Sequence, residues 1–188
     1  MRRQDDNQLH AERIGALAGL IGERIGLRGA RLVDLCRAAP LHDIGKATIP
    51  AEIINKPGPL TAEEFEIVKT HTTAGAEILA GSRSPVLEMA GEIALTHHER
   101  WDGAGYPQGL AGEEIPLVGR IVAVADVLDA LANERPYKAA WPLADAVAEI
   151  ARGSGSHFDP LVATALCALY DEGALDVLGL GELSSAAV

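Results

Sequence analysis

The chain has 188 residues, near the usual size of one domain, and pairs 48% hydrophobic with only 4% aromatic residues, so its core must be built from Leu, Ile, Val and Ala. A formal net charge of -11 argues against polymeric nucleic acid as a partner, because neutralising a phosphate backbone takes many Lys and Arg. Cys36 and Cys167 form no CxxC pair and follow no signal-like start, which reads as cytoplasmic, and no apolar run reaches the roughly 20 residues of a membrane helix.

Leu9, Ile14, Leu17, Leu20, Ile21 and Ile25 recur at helical spacing, with Gly26 and Gly29 as a stop, so the spacing predicts a first helix over Leu9 to Leu27 that carries His10. A second helix is expected from about Ala30 to Ile44, bent at Pro40 just before His42. Gly45 to Pro59 reads as a loop. Thr61 and Glu64 have capping-box spacing and open a helix to about Ala80; Ser84 and Pro85 open another that ends near His97 and His98. Arg100 to Pro116, rich in Gly, is a long ordered loop. Leu117 to about Asn133 is apolar on nearly every face, the pattern of a central buried helix. Two shorter helices follow, about Pro142 to Ala151 and Asp159 to Tyr170, with Asp159 as N-cap and His157 structural. The fold class is all-α, about seven helices, with residues 1–170 as one domain and 171–188 as a tail.

Five of six His, namely His10, His42, His71, His97 and His98, fall at helix ends or on inward faces. His71 shares a face with Val68, Gly75 and Ile78, so it points inward. In the pairs His42-Asp43 and His97-His98 neighbouring helical side chains diverge by about a quarter turn, which suits two ions better than one, with Asp43 bridging. Asp126 sits inside the apolar helix Leu117 to Asn133, where a bare carboxylate costs several kcal/mol and a cation resolves the conflict; the alternative is an ion pair with Arg120 or Arg135. Asp129, one turn on, lies on the same side. Imidazoles and carboxylates without thiolate suit iron, manganese or zinc, which activate water and polarise phosphoryl oxygens, and Lys46 offers a point charge to a phosphate.

The segments His42-Asp-Ile-Gly-Lys46, His97-His-Glu-Arg-Trp-Asp-Gly-Ala-Gly-Tyr-Pro107, Val124-Ala-Asp-Val-Leu-Asp-Ala-Leu131 and Arg135-Pro-Tyr-Lys138 resemble the HD-GYP family in order and spacing, over about Leu9 to Leu169. The resemblance implies an HD-superfamily helical bundle with a long GYP loop that hydrolyses cyclic di-GMP to pGpG or GMP, using two or three divalent metal ions, iron first and manganese next. Carried over by position, the metal ligands are His10, His42, Asp43, His71, His97, His98 and Asp126, with Asp6 where three-metal members carry a Glu. Lys46 would hold the scissile phosphate, Tyr106 would pack near the ligand, and Arg135 and Lys138 would hold its phosphates or guanine. Asp129 would assist proton transfer or orient a ligand. The loop also implies GGDEF-type or adaptor protein partners. Pro40 and Ala132-Asn133 depart from the family's pattern without removing a ligand. Two other readings are a related HD phosphohydrolase of another nucleotide and a non-catalytic cyclic di-GMP receptor.

Overall fold

A computed structural model describes residues 2–134 and 139–178, with side chains from Gln8 onward, Val177 apart. Among the described residues the architecture is all-helical, and pairing of extended backbone is confined to the isolated bridges Asp102 to Ala111 and Ser154 to Phe158. The helices are α1 (Arg2–Arg24), α2 (Gly29–Ala38), α3 (Ala51–Ile54), α4 (Ala62–Lys69), α5 (His71–Leu79), α6 (Pro85–Thr96), α7 (Leu117–Ala132), α8 (Leu143–Arg152) and α9 (Pro160–Asp171). No described helix is long and apolar enough to cross a membrane.

α7 is the axis of the bundle. Ile121, Val122, Val124, Ala125 and Leu128 are inaccessible to solvent, and α1, α6, α8 and α9 pack around them. Burying one such Ile, Val or Leu side chain contributes roughly 1.5–3 kcal/mol, so this all-apolar surface fixes α7 at the centre. Leu175, beyond α9, is also fully buried in the same core.

Two expectations are corrected. The second helix stops at Ala38, and Ala39–Leu41 and Ile44–Thr48 form two 3-10 segments, because Pro40 has no N–H to continue the α-helical ladder. The helix expected over Thr61 to Ala80 is two helices broken at Thr70, and Ile78, expected on the inward face of His71, is 49% exposed. With the one-turn α3, this break raises the count above seven. The capping box itself is present, with the Glu64 N–H donating to Thr61 Oγ1 and the Thr61 N–H to Glu64 Oε2.

A candidate metal centre at the helix ends

The five His come from four places in the chain. His10 stands on α1, His42 ends the 3-10 segment after α2, His71 opens α5, and His97 and His98 follow the last residue of α6. Gly45 makes the convergence possible: a Cβ there would lie 1.9 Å from the carbonyl oxygen of His71 and 2.5 Å from the Gly75 nitrogen, so only glycine lets the His42-Asp43 segment rest on α5. His42, His71 and His97 are almost fully buried. Ring centroids run at 5.4 Å from His10 to His42, 5.1 Å from His42 to His97, and 4.1 Å from His97 to His98.

Hydrogen bonds on one edge of each ring set the chemistry on the other. The Nδ1–H of His42 donates to the Ala39 carbonyl at 3.0 Å, that of His71 to Val68 at 2.7 Å, and that of His97 to Ile93 at 3.0 Å. A carbonyl can only accept, so Nδ1 carries a proton in each ring and Nε2 is the atom turned inward, as a lone pair wherever the ring is neutral. The Nε2 atoms of His71 and His97 then face each other at 3.4 Å with no proton between them. Asp43 Oδ1 lies 3.4 Å from His71 Nε2 and 3.8 Å from His97 Nε2, while Asp43 Oδ2 is 3.3 Å from His42 Nε2. Asp43 Oδ1 and His42 Nε2 are buried without a hydrogen-bond partner. Such an arrangement of bare lone pairs is repulsive by itself and complementary to a cation.

Two sets of donors have mutual spacing fit for an ion: Asp43 with His71, His97 and His98, and Asp43 with His10 and His42. Asp43 belongs to both, as a bridging carboxylate requires. His97 and His98 share one set, contrary to the expectation that neighbours would serve separate ions; α6 ends at Thr96, and the turn that follows brings the two rings together. Asp126 Oδ1 lies 3.9 Å from both His10 Nε2 and His42 Nε2, beside the second set.

Burial holds His97 down at about 3, with His42 adding to the effect, and holds His98 at about 2, with His97 and His71 adding. Both rings are therefore neutral at pH 7 and able to ligate. Burial alone would raise Asp43, but His42 beside it, with Lys46 and His97, takes it far below the usual carboxylate range. Lys46, 43% exposed, forms an ion pair with Asp43.

The buried acid of α7 is Asp129, not Asp126. Asp126 stands beside His10 and His42 with 22% of its side chain exposed, whereas 3% of Asp129 is exposed. Asp129 accepts from Arg13, from His10 Nδ1 at 2.7 Å and from Asn133 Nδ2 at 2.9 Å. Arg120 pairs with Asp159, the N-cap of α9, and so does not neutralise Asp126. Tyr106 stacks on His98, centroids 4.8 Å apart and planes at 28°. Arg135 and Lys138, and the side chain of Asp6, lie outside the described residues.

Sequence reasoning missed Arg13 and Glu99. Arg13 stands three residues after His10, a spacing that shares a helix face, but its partner on α7 lies 116 positions away. Glu99, 2% exposed, accepts from the Gln108 N–H at 2.7 Å and the Leu110 N–H at 3.1 Å, and so ties the Gly-Tyr-Pro loop to the His97-His98 turn. Its signal was an acid immediately ahead of a glycine-rich loop.

Residues 4–162 match the HD domain family. The chain belongs to the HD-GYP family of HD domains. It is 52% identical over 170 residues to a cyclic di-GMP phosphodiesterase of Thermotoga maritima, covering 90% of this chain and 46% of that protein. It is 48% identical over 155 residues to the cyclic di-GMP phosphodiesterase response regulator RpfG of Xanthomonas campestris pv. campestris, covering 82% and 41%. A 3'3'-cGAMP-specific phosphodiesterase 2 of Vibrio cholerae is 40% identical over 170 residues, covering 90% and 33%. The chain thus spans less than half the length of these relatives. The crystal structure of a cyclic GMP-AMP specific phosphodiesterase of V. cholerae has the same fold, with a TM-score of 0.67 and 23% identity over 93% of this chain and 46% of that one. For this HD-GYP domain the His and Asp cluster is compatible with a divalent metal centre.

Proposed function

We propose that this HD-GYP domain is a metal-dependent phosphodiesterase that opens a phosphodiester of cyclic di-GMP, releasing pGpG or GMP. The observation that carries the reading is the pair of neutral imidazoles, His71 and His97, whose Nε2 atoms oppose each other at 3.4 Å around the unpartnered Asp43 Oδ1. His71, His97, His98 and Asp43 would hold one divalent ion, and His10, His42, Asp43 and Asp126 a second, iron first and manganese next. Asp6 is the candidate for a third. When bound, such ions polarise a phosphoryl oxygen and make water a nucleophile at neutral pH.

The chain's own residues do the rest. Asp43 ties the two donor sets together, and Lys46 beside it presents a positive charge that a phosphoryl oxygen can approach from solvent. Asp129, its oxygens taken by Arg13, His10 and Asn133, orients His10 rather than carrying a proton. Tyr106 stacks over His98 beside the donor sets, and Arg135 and Lys138 are assigned to the substrate's phosphates or guanine. Names of relatives at 48–52% identity support cyclic di-GMP as the substrate. Relatives at 40% identity named for 3'3'-cGAMP make that dinucleotide the second reading.

The test is anaerobic purification, elemental analysis, and chromatography of digests of cyclic di-GMP and 3'3'-cGAMP side by side. Two or more ions per chain with cyclic di-GMP consumed faster supports the proposal. Faster turnover of 3'3'-cGAMP selects the second reading, and tight binding without turnover makes the domain a receptor.

A further inference from the structure

The last turn of α4 borders the metal cluster, since Lys69 is followed by Thr70 and then by His71. Phe65 and Lys69, four residues apart, lie on one face of α4. Phe65 is 44% exposed, an apolar ring left partly in water. Its edge meets Tyr106 with centroids 6.2 Å apart and planes at 81°. Tyr106 in turn stacks on His98, so an aromatic wall runs from a cluster imidazole out to the solvent-facing ring of Phe65. The Lys69 ammonium stands 5.1 Å from the Phe65 centroid and 5.6 Å from that of Tyr106. Lys69 also pairs with Glu66 at 2.6 Å, but Glu66 has 69% of its side chain exposed, and such a surface pair yields readily to a better acceptor.

We infer that Phe65, Lys69 and Tyr106 form a nucleobase-binding shelf beside the metal cluster, taking one guanine of the dinucleotide. The inference rests on the cyclic dinucleotide reading above and adds to it the recognition of the base. A purine offers a π-face to an exposed aromatic ring, and stacking of this kind is sequence-tolerant. Guanine adds O6 and N7, two acceptors on one edge that an ammonium can serve, whereas adenine presents an amino donor there. A shelf that combines a ring with a lysine therefore favours guanine.

The decisive experiment compares Phe65→Ala, Phe65→Leu and Phe65→Trp with the unaltered protein, metal-loaded, for kcat and KM on cyclic di-GMP and for its Kd by calorimetry. The shelf predicts that Ala and Leu raise KM and Kd about tenfold while kcat moves far less, and that Trp restores both. Leu keeps the apolar bulk, so a Leu variant as good as Trp means that Phe65 only braces α4 against the loop, and the inference is overturned. An unchanged Kd in Phe65→Ala overturns it as well, whether or not the protein turns over. Lys69→Met should narrow the preference for cyclic di-GMP over cyclic di-AMP; an unaltered ratio removes Lys69 from the shelf. Failure of the unaltered protein to hydrolyse any cyclic dinucleotide strikes the parent reading instead, and the calorimetric comparison still decides the shelf.

Discussion

Nδ1 of His10 lies 2.7 Å from Oδ2 of Asp129, which joins a residue of α1 to one of α7 across 119 positions of sequence. The bond makes Nδ1 the donor, leaves Nε2 to face the cluster, and makes the position of a proposed ligand depend on helix packing. Arg13 completes the arrangement by neutralising Asp129 where 3% of that side chain is exposed.

Asp129→Asn should lower metal content by one ion per chain and the rate by about 10- to 100-fold, the range usual for outer partners of a ligand. Arg13→Ala takes the guanidinium from a buried carboxylate and should cost about 3 kcal/mol of stability, with Arg13→Lys recovering part of it. Elemental analysis and thermal unfolding check both. Full occupancy in Asp129→Asn would remove its assigned role.

Stripping metal with a chelator should destabilise the protein, because Asp43 Oδ1 and His42 Nε2 are buried without partners. Saturating a site at a hundred times its Kd stabilises by about 2.7 kcal/mol, so the thermal midpoint should rise by several degrees on adding metal. In Asp43→Ala that rise should vanish together with activity, since Asp43 belongs to both donor sets. A normal metal-induced shift in Asp43→Ala would contradict the shared-carboxylate assignment.

Acid should unfold the metal-free protein along a predictable slope. His97 and His98 are held at about 3 and about 2, and His71 is also lowered, chiefly by burial, against 6.5 when unfolded. Below pH 6.5 the unfolded chain binds protons that these buried rings refuse, so stability falls as pH drops from about 6.5 toward 3, by at most about 1.4 kcal/mol per unit per ring. His42, whose burial is outweighed by the carboxylate of Asp43 beside it, is raised instead, so its contribution is already complete below pH 6.5 and adds no slope in this window. Chemical denaturation of chelator-treated protein at several pH values measures the slope; stability that rises from pH 6.5 to 4.5 would exclude buried neutral imidazoles.

Glu99→Ala should loosen the loop that carries Tyr106, because the Gln108 and Leu110 N–H groups lose their acceptor. The cost should be about 1–3 kcal/mol, the penalty for stranded buried donors. Hydrogen exchange should quicken at Gln108 and Leu110, and KM should rise as Tyr106 loses its seat on His98. Unchanged exchange at both amides would show that the loop holds itself.

The sequence alone determined the helical class, the buried character of Leu117 to Asn133, the capping box of Thr61 and Glu64, and the set of imidazoles and acids suited to metal. These are local properties, since periodicity, capping and side-chain chemistry are written within a few neighbouring positions. Only the tertiary structure decided that His97 and His98 share a donor set, that Asp43 belongs to two, and that Asp129 rather than Asp126 is the buried acid. Those outcomes depend on where α6 stops, how closely Gly45 lets its segment approach α5, and which face of α7 meets Arg13. Each is a relation between elements distant in the chain, and no periodicity within one element carries it.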